Sequence, residues 1–595
     1  MIYVFISEMK SLLYYAVKVF FHSIISIFFR SVEVVGRDNI PRFGPVIFVG
    51  NHANQFVDGI MMLSTCEHKI SYLMAEASWK RRIIGDVAWA LDVVPVKRAQ
   101  DYFKRGTGKI TFAPFDSKAE YKVGDVVAVT GAGTAFTNEI NVGDKIRPPG
   151  TMRAIKVVTI ESDNTLHVDA SDAAAMDNTP KEPVSFDVLP HMDHKVVFGK
   201  VLEKLASGSA VGIFPEGGSH DRTDLLPLKV GVALIAYSAL ENDGLNIPIV
   251  PVGLNYFQRQ KFRGRVVVEY GRPIFIDPAT LSQFISGGAE KRRVCNELLE
   301  RIEDGMKSVL VTTPDYETNQ LVHTARRLWQ RKELQASEKQ DLTRRFAQGY
   351  KQLLLHCKGE PPQEWKDLHN RVIMYQKELN ELGIRDYQVP GLEGEIKSVN
   401  DLNGDTVLRE IRLPYQIGHI VILMLLAGIP AIFLNLPVGL IARLYAEGRR
   451  KKALANSKVK IKAEDVLMTE KILICIILVP ALWIIYAVLL SVFTDMDGNA
   501  IALAIFCMPL FSYMSIMWAE AGMVETKDLK PYIKRLFPSS RRRIAALPGT
   551  RIKLQQDLRE FIRTHKAILG EIYYGEDLDW SVIQSKTRMN KPKDL

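Results

Sequence analysis

Short apolar runs alternate with longer amphipathic stretches through the first half of the chain. Stretches between several of these runs show helical spacing, for example HKVVFGKVLEKLAS at residues 194–207. Apolar strands that alternate with helices predict an α/β fold with a mixed, mostly parallel sheet flanked by helices. The runs that read as buried strands are Val46–Val49, Ser71–Met74, Val93–Val96, Val211–Phe214, Ile249–Val252 and Arg265–Tyr270.

The alternation stops between residues 106 and 190. Glycine-punctuated, β-prone pieces fill this segment, and RAIKVVTIESDNTLHVDA indicates two strands around a turn at Asp163 and Asn164. We therefore predict a β-rich insertion in the α/β domain. The GTGK at Gly106–Lys109 resembles the end of a phosphate-binding loop. The glycine that such a loop requires five residues before Gly108 is replaced by Phe103, so the match fails.

The second half changes character twice. From about residue 290 it is charged with helical spacing, as in EWKDLHNRVIMYQKELNEL, which predicts a solvated helical arm packed on the core. Residues 417–442, 472–493 and 500–519 then contain no Asp, Glu, Lys or Arg. Each segment reaches the ~20 residues needed to cross hydrocarbon, so we predict an integral membrane protein. The predicted divisions are 1–40, an N-terminal membrane-associated helix; 41–105 and 191–289, the α/β domain; 106–190, the insertion; 290–412, the arm; 413–519, transmembrane or re-entrant helices; and 520–595, a cytosolic tail.

Charge placement bears on the membrane topology. The loop after the first apolar segment is rich in Lys and Arg, which marks it as cytosolic, whereas the acidic link TDMDGN after the second is lumenal. The first segment contains Gly428, Pro430, Asn435 and Pro437, a cluster that breaks helices. We predict either a re-entrant hairpin of two half-helices or compensation by the N-terminal segment. Both alternatives keep the α/β domain in the cytosol.

The N-terminal apolar stretch, residues 11–29, contains Lys18 and His22, and no small-residue cleavage site follows it. It is therefore not a cleavable signal peptide. Its aromatic bulk and interior cation favour a helix that lies in one leaflet, and a tilted single span is the alternative.

Composition adds limits. A chain of 595 residues should hold more than one domain, since single cores stop growing near ~250–300 residues. The five cysteines are scattered, which favours reducing surroundings and argues against a structural zinc site. A net charge of +10 does not by itself distinguish nucleic acid, an anionic leaflet or a phosphorylated substrate. The basic residues crowd beside apolar spans rather than on an aromatic-studded face, so we exclude nucleic-acid binding.

The candidate chemistry begins in VIFVGNHANQFVDGI at residues 46–60. His52 follows directly on a buried strand, and Asp58 lies six positions later. Ligands of α/β sheets gather at the carboxyl ends of the strands. A histidine near neutral pKa can take a proton from an alcohol, and a carboxylate on its other nitrogen fixes the tautomer. A hydrogen-bonded structural histidine is the alternative for such a pair alone.

Later strand ends carry further polar groups. LDVVPVKRAQD ends a strand with Lys97 and Arg98, and GIFPEGGSHDRTDLLPLK ends another with Glu216 and two glycines. Gly217 and Gly218 would let backbone N–H groups approach an anion closely. Candidates for phosphate pairing are Arg98, Arg222 and Lys229.

In order along the chain, NHANQFVD, VPVKRAQD, FPEGGSHD and IVPVGLNY resemble the four signature blocks of the glycerolipid acyltransferase superfamily. HANQFVD and the continuation GGSHDRTDLLPLK are similar to the fungal glycerol-3-phosphate/dihydroxyacetone-phosphate acyltransferases of the endoplasmic reticulum. The resemblance covers about residues 41–273 without the insertion. It implies a multi-pass protein of the endoplasmic reticulum membrane whose catalytic domain faces the cytosol.

The resemblance also implies a mechanism without a covalent enzyme intermediate. His52 takes the proton from the sn-1 hydroxyl of glycerol 3-phosphate, Asp58 orients His52, and the alkoxide attacks the thioester of acyl-CoA. Backbone N–H groups near residues 217–219 stabilise the oxyanion. The residues implied to hold the acceptor phosphate are Arg98, Glu216, Gly217, Gly218, Ser219, Arg222 and Lys229, and those implied to lie near acyl-CoA or the acceptor are Asn51, Asn54, Lys97 and Pro251.

On this reading the partners are acyl-CoA, glycerol 3-phosphate or dihydroxyacetone phosphate, and the lipid bilayer. Neither a metal nor a resident cofactor is needed, and a homo-oligomer is compatible with the sequence. Two alternatives stay open. A lysophosphatidate acyltransferase would show the same His and Asp, and a catalytically idle membrane scaffold would consume no thioester with any acceptor.

One departure from the superfamily affects the first block. Its usual pattern is His, four residues, Asp, whereas five residues separate His52 from Asp58, and Val57 occupies the usual acidic position. Valine cannot orient an imidazole. We therefore expect a non-helical turn between His52 and Asp58.

Overall fold

The structure of the chain is a computed structural model. It describes residues 2–80, 82–97, 102–114, 125–149, 151, 154–174, 182–191, 194–222, 224–257, 259–311, 316–330, 334–357, 360–390, 405–457, 459–535, 537–575 and 578–589.

The strands divide between two sheets, each of seven strands among the described residues. The first sheet has the order β1-β14-β13-β2-β12-β3-β4, and the second β5-β11-β8-β9-β10-β7-β6. In chain order the strands are β1 Phe29–Val35, β2 Val46–Gly50, β3 Ile70–Ala75, β4 Val94–Val96, β5 Lys104–Arg105, β6 Lys109–Phe112, β7 Val126–Ala132, β8 Lys145–Arg147, β9 Ile155–Ser162, β10 Thr165–Asp169, β11 Asp187–Leu189, β12 Ala210–Ile213, β13 Ile249–Tyr256 and β14 Gly264–Tyr270.

The helices follow the same chain order. They are α1 Ile2–Phe28, α2 Phe56–Thr65, α3 Glu76–Trp79, α4 Arg82–Ala90, α5 Phe136–Glu139, α6 Ala170–Ala174, α7 His194–Ala206, α8 Gly231–Asp243, α9 Leu281–Ser286, α10 Gly288–Val309, α11 Tyr316–Trp329, α12 Ala336–His356, α13 Gln363–Leu382, α14 Asp405–Pro430, α15 Leu436–Ala455, α16 Leu467–Phe493, α17 Gly498–Arg535, α18 Pro538–Thr564, α19 Lys566–Tyr574 and α20 Trp580–Met589.

The first sheet is mixed and mostly parallel, as predicted. Strands β13, β2, β12, β3 and β4 run parallel, while β14 is antiparallel to β13 and is followed at the edge by β1. Successive side chains of β2 point to opposite faces, so Val46 and Phe48 pack with α1 and α2, whereas Ile47 and Val49 pack with α7, α8 and α10. Burial on both faces explains why this strand is apolar throughout.

The second sheet is formed by residues 104–189. Its strand pairs are antiparallel, for example β7 with β10 and β9 with β10. Its hydrophobic core is formed by residues 110–188 and is separate from the cores on the two faces of the first sheet. Strands β5 and β11 pair with each other, so the chain enters and leaves this sheet at neighbouring positions. The structure thus confirms the β-rich insertion as part of the fold class.

The helical arm forms its own core with the C-terminal helices. Apolar residues of α11, α12 and α13 pack against those of α18 and α19, among them Leu328, Val372, Leu554 and Leu558. Arg344 of α12 pairs with Glu269 on β14 and attaches this bundle to the first sheet. The mixed α/β fold with a helical arm is therefore confirmed, whereas the predicted domain boundaries stay predictions.

Within the described residues, four helices are long and apolar enough to cross a membrane. They are Glu8–Phe28, Ile417–Ala455, Glu464–Phe493 and Gly498–Lys527. Their exposed surfaces are rich in Leu, Ile, Val and Phe, such as Leu425, Ile484 and Phe506. Surfaces of this kind are stable against hydrocarbon, so the chain is associated with a membrane.

The Gly- and Pro-rich part of the second of these segments forms a π-helical turn, Ala431–Asn435, between α14 and α15. The groups at this turn find partners in the neighbouring helices. The Tyr486 hydroxyl donates to the Phe433 carbonyl, and the Asn435 side chain donates to Ser515 Oγ at 2.6 Å and accepts from Ser512 Oγ at 2.5 Å. Such partners replace water for backbone and amide groups in an apolar region.

Ion pairs show the path of this segment. His419 of α14 lies 3.0 Å from Glu525 of α17, and Arg449 of α15 lies 3.1 Å from Glu470 of α16. Both partners are near the α/β domain, because Glu520 pairs with Arg263 and Thr469 bonds to Asn54. The π-helical turn lies between these anchors along the chain, so both ends of the α14–α15 segment are on the side of the α/β domain.

Helix α1 packs along the first sheet. Lys10 pairs with Asp92 at 2.6 Å, and the Lys18 ammonium donates to the Cys66 carbonyl at 2.7 Å. Tyr14 is fully buried, whereas Leu12 and Val19 on the other face are exposed. One face of α1 is thus part of the α/β core, and the opposite face is apolar and open.

Candidate active site

Three neighbouring strands of the first sheet bring the candidate residues together. His52 follows the carboxyl end of β2, Glu216 follows β12, and Tyr256 ends β13. Strand β2 lies between β12 and β13 and is parallel to both. The three carboxyl ends therefore meet at one edge, which is where an α/β sheet binds its ligands.

His52 and Asp58 form a hydrogen-bonded pair. His52 Nδ1 lies 3.0 Å from Asp58 Oδ2, and the Asp58 side chain is fully buried. Asp58 also accepts the Asn54 N–H at 2.6 Å and the Tyr256 hydroxyl at 2.8 Å. Burial, together with the charge of Asp58, raises the pKa of Tyr256 well above its usual value, so its hydroxyl remains a donor. With Nδ1 donating to Asp58, His52 Nε2 is left as the proton acceptor.

The extra residue between His52 and Asp58 is accommodated by a strained turn. Gln55 has φ 48° and ψ −124° at the start of α2, a backbone conformation that costs a non-glycine residue ~1–3 kcal/mol. The turn points the Val57 side chain into the core and places Asp58 in the first helical turn beside His52. The expected non-helical turn is present.

Glu216 holds the two loops of this edge together. Its Oε1 accepts the His52 backbone N–H at 2.8 Å, and its Oε2 accepts the Leu226 N–H at 2.8 Å and a hydrogen bond from His220 Nε2. The His220 N–H in turn donates to the His52 carbonyl at 3.1 Å. The buried Glu216 carboxylate thus fixes the backbone that presents His52.

The FPEGG turn lies against the imidazole. The Phe214 ring stacks on His52, with centroids 4.5 Å apart and an interplanar angle of 17°. Gly217 has φ 73°, and its N–H donates to the Phe214 carbonyl at 3.1 Å. A Cβ on Gly217 would lie 2.1 Å from Lys229 Nζ, so the Lys229 side chain crosses over this turn. Glycine is favoured here by both the dihedral angle and the close approach.

The residues after this turn contact a distant loop. Ser219 Oγ donates to Asp465 Oδ2 at 2.7 Å, and Arg222 Nε donates to the Val459 carbonyl at 2.9 Å. Asp221 accepts N–H groups of the same loop, including that of Ile461 at 2.7 Å. The basic loop between α15 and α16 is therefore docked on the predicted phosphate-binding turn.

A cleft with a volume of about 120 Å³ opens at this edge. One wall contains His52, Glu216 and Arg222 from the predicted set, together with Arg259. The other wall comes from the helical arm and contains Asn319, His323 and Gln340. Residues of the catalytic edge and of the helical arm therefore face the same cleft, at the edge where an α/β sheet binds its ligands.

The other predicted residues have structural partners. Asn51 also lines the cleft and extends the pairing of β2 with β13, since its Oδ1 accepts the Leu254 N–H at 2.7 Å. Asn54 is buried under Asp58, and its Nδ2 donates to the Arg259 carbonyl at 3.3 Å. Pro251 is a buried residue of β13 opposite Val49.

The second signature block lies away from this wall. Lys97 follows β4, which is at the far edge of the first sheet, and its side chain is exposed. Arg98 lies outside the described residues, so its predicted role stays a prediction.

Several cleft and support residues were not predicted. Tyr256 is the last residue of the block IVPVGLNY, where alternation along β13 could have indicated which face it occupies. His220 is in the block FPEGGSHD, where its place in a polar turn could have indicated a role at the site. Arg259 follows in the next loop. Asn319, His323 and Gln340 lie on amphipathic helices with no motif, so only the packing of the arm identifies them.

Comparisons with known proteins agree with this architecture. The family model described as "Acyltransferase" matches residues 31–119 and 186–255, and so leaves out most of the second sheet. The model described as "Glycerol-3-phosphate acyltransferase 2 C-terminal domain" matches residues 321–567, which include the arm and the apolar helices. Both halves of the molecule therefore have counterparts in known families.

Three curated fungal proteins match most of the chain. An uncharacterised acyltransferase of Schizosaccharomyces pombe is 31% identical over 91% of this chain and 79% of its own length. Glycerol-3-phosphate O-acyltransferase 1 of Saccharomyces cerevisiae is 32% identical over 89% of this chain and 68% of its own length. Glycerol-3-phosphate O-acyltransferase 2 of the same yeast is 29% identical over 91% and 75%, respectively.

Proposed function

The chain belongs to the glycerol-3-phosphate O-acyltransferase family, and we propose that it transfers an acyl group from acyl-CoA to the sn-1 hydroxyl of glycerol 3-phosphate. The observation that carries the proposal is the His52–Asp58 pair, at 3.0 Å, on the wall of the cleft at the carboxyl edge of the first sheet. Dihydroxyacetone phosphate, which offers the same phosphate and a primary hydroxyl, is a second acceptor.

In the reaction, His52 Nε2 accepts the proton of the acceptor hydroxyl as its oxygen attacks the thioester carbonyl carbon. Asp58 holds the imidazole in the correct tautomer and stabilises the imidazolium. The tetrahedral intermediate collapses as the C–S bond breaks, and the imidazolium returns the proton to the thiolate of CoA. General base catalysis of this type contributes ~10²–10⁴ in rate. The proposed acyl transfer requires neither a metal nor a resident cofactor.

The oxyanion of the intermediate needs donors close to His52. The N–H of Gly217 is committed to the Phe214 carbonyl, so we assign this role to the backbone N–H groups of Gly218 and Ser219 on the same turn. Preorganised backbone donors are often the largest single contribution to acyl transfer.

Two predicted phosphate residues take other roles in this proposal. Glu216 positions the His52 backbone, because a carboxylate bonded to two backbone N–H groups and His220 repels a phosphate. Ser219 Oγ is occupied by Asp465. On the catalytic wall, Arg222 and Arg259 line the cleft and are the cations that we assign to the acceptor phosphate, with Arg98 and Lys229 retained as predictions.

We also propose that the catalytic domain and the basic loop at residues 456–463 face the cytosol of the endoplasmic reticulum. The docking of this loop on Ser219, Asp221 and Arg222 puts both on one side of the membrane. Helices α14 and α15 then form a re-entrant segment, and α1 lies in the cytosolic leaflet with its open apolar face. A glycosylation sequon engineered at Gly133, a left-handed turn position with open space around it, should stay unmodified in microsomes. Glycosylation at this position would show that the α/β domain faces the lumen, contrary to the proposal.

The test of function measures CoA release by the detergent-solubilised protein with a panel of acceptors. We expect turnover with glycerol 3-phosphate and dihydroxyacetone phosphate and little with lysophosphatidate, and His52→Ala should abolish it in a folded protein. Preference for lysophosphatidate would favour acylation of the second position. Absence of CoA release with every acceptor would favour the scaffold alternative. Full activity of His52→Ala would show that His52 is not the general base.

A further inference from the structure

The helical arm forms one wall of the catalytic cleft. Asn319 and His323 lie one helical turn apart on α11, and Gln340 comes from the neighbouring α12. His52 and Arg259 lie on the opposite wall of the same cleft. A bound acceptor would therefore contact the arm as well as the catalytic sheet.

Two buried hydrogen-bond donors, one on this wall and one on the helix that forms it, have no partner among the described residues. Gln340 is 4% exposed, and its Nε2 has no hydrogen-bond partner among the described residues. Arg326, three residues after His323 on the same face of α11, has a buried Nε that also has no partner there. Its NH1 group reaches only the neutral Thr343 hydroxyl, at 3.4 Å. Buried donors in native proteins are nearly always paired, so these donors indicate a ligand that accepts hydrogen bonds.

Arg326 differs from Arg344 of α12 and Arg551 of α18, whereas Arg327 shares its buried Nε without a partner among the described residues. Arg344 pairs with Glu269, and Arg551 pairs with Asp386 at 3.2 Å. Within the described part of the chain, no carboxylate lies within 4.0 Å of the Arg326 guanidinium. A half-buried guanidinium without a counter-ion is costly, and an anion that enters the cleft would offset that cost.

His323 adds a neutral donor. Burial, together with the charges of Arg326 and Arg327, lowers the pKa of His323 to about 3. The imidazole is therefore uncharged near neutral pH and can donate one ring N–H. The carboxylates on the cleft surface, Glu216 and Asp224, belong to the catalytic wall, so the described lining residues of the arm wall include hydrogen-bond donors and no carboxylate.

We propose that the arm recognises the phosphate of the acceptor through His323 and Gln340 on the cleft wall, supported by the charge of Arg326 beside them. The inference rests on the proposed function, since it concerns the same cleft. The phosphate then lies between Arg259 of the catalytic domain and the arm, and the sn-1 hydroxyl points to His52. The arm would thus select phosphorylated alcohols.

The test compares Arg326→Gln with Arg327→Gln, a matched loss of charge at the next position. Neither arginine is among the residues that line the cleft, but Arg327 donates to Thr324 and lies in the field of Asp386. Because Arg326→Gln removes a positive charge next to the phosphate in a poorly hydrated cleft, it should raise KM for glycerol 3-phosphate about tenfold or more. The Ki of inorganic phosphate, competing with that acceptor, should rise equally, and KM for acyl-CoA should stay unchanged. Arg327→Gln should change all three constants by less than about threefold, because the carboxylate of Asp386 already offsets much of the charge of Arg327.

Two outcomes would overturn the proposal. A rise in KM for acyl-CoA alone would assign the anion site to the phosphates of the coenzyme, and unchanged constants would remove the arm from recognition. His52→Ala measured in parallel keeps the proposals separate. If His52→Ala remains active, the proposed function is wrong. If His52→Ala is inactive but Arg326→Gln has the kinetic constants of the unmodified protein, only the phosphate site on the arm is wrong.

A second variant covers the case in which Arg326→Gln does not fold. Gln340→Glu keeps the side-chain shape and places a carboxylate near the Arg326 charge, so the fold should be retained while phosphate is repelled. We expect inorganic phosphate to raise the melting temperature of the substrate-free wild-type protein but not that of Gln340→Glu. Gln348→Glu, on the same helix beside Gln584, is the control, and phosphate should still stabilise it. Retained stabilisation in Gln340→Glu would contradict the proposal.

Discussion

The two sheets have the same number of described strands and differ in nearly every other respect. The first is mostly parallel, is covered by helices on both faces and carries the candidate active site. The second is antiparallel and has a core formed entirely by its own segment. Parallel neighbours end at one edge, so β2, β12 and β13 deliver three loops to one place, whereas antiparallel neighbours send consecutive loops to opposite edges.

The first sheet also depends on distant parts of the chain. The Thr469 hydroxyl of α16 donates to the Asn54 carbonyl at 2.8 Å, and the Lys471 ammonium donates to the Gln260 carbonyl at 2.9 Å. The arm provides the facing wall of the cleft. We therefore expect catalysis to depend on the first sheet and its partners, and the second sheet, which has its own core, to be dispensable for it.

The largest expected effect is at Asp58. Asp58→Asn keeps the size of the side chain but removes the charge that stabilises the imidazolium, and it can stabilise the wrong tautomer of His52. We expect kcat to fall by about 10³, within the range of general base catalysis, with the protein still folded. The measurement is steady-state turnover alongside thermal unfolding in detergent. A fall of less than tenfold in a folded variant would show that His52 acts without this carboxylate.

A smaller effect is expected at Tyr256, which tests whether β13 contributes to the pair. Tyr256→Phe removes the 2.8 Å hydrogen bond to Asp58 Oδ1 and leaves the ring packed. Loss of one hydrogen bond to a charged group is worth ~1.5–3 kcal/mol, so kcat should fall by about 10–100-fold. KM for glycerol 3-phosphate should change little, because the hydroxyl faces Asp58 and not the acceptor. A KM effect without a kcat effect would contradict this positioning role.

The sequence predicted the parts of the site that depend on local order. His52 and Glu216 each follow a recognisable apolar strand, and the extra residue before Asp58 required a turn that Gln55 provides. It did not predict β1, because the apolar run of α1 continues into Phe29–Val35 without a breaking residue. His323 and Gln340 were missed for another reason. Their role depends on how the arm docks, and helical spacing does not encode which face of a helix meets a distant cleft.

The docked basic loop gives a third, smaller prediction. Burial opposes ionisation of Asp221, but hydrogen bonds from the N–H groups of Ile461, Lys462 and Glu464 hold its pKa below the usual value. Because the pKa of Asp221 is lowered in the docked state, its ionised carboxylate stabilises docking fully above its usual pKa of ~3.8. This stabilisation is lost as pH falls through the lowered pKa. Docking should therefore be intact at neutral pH and weaken in strong acid.

Asp221→Asn should weaken docking at neutral pH, since it removes the charge from these hydrogen bonds. Trypsin should then cut at Lys460 or Lys462 about tenfold faster, a loss consistent with one charge-assisted hydrogen bond. Activity should fall only a few-fold, because Ser219 and Arg222 still contact the loop. Asp224→Asn is the control, since Asp224 accepts only the adjacent Leu225 N–H among the contacts described. Equal cleavage of both variants would show that Asp221 does not hold the loop.

The smallest effect on catalysis should come from removing most of the second sheet. Residues Arg105 and Asp187 are paired neighbours on β5 and β11, so an Asn-Gly turn can join them after deletion of residues 106–186. The core of the sheet lies within residues 110–188, so its removal takes away few contacts of the first sheet. We expect kcat and both KM values to stay within about threefold of the intact protein, as for changes at distant, independent sites. If the shortened protein is folded and membrane-bound but has lost activity tenfold or more, the antiparallel sheet is part of the catalytic machinery and the separation between the two sheets does not hold.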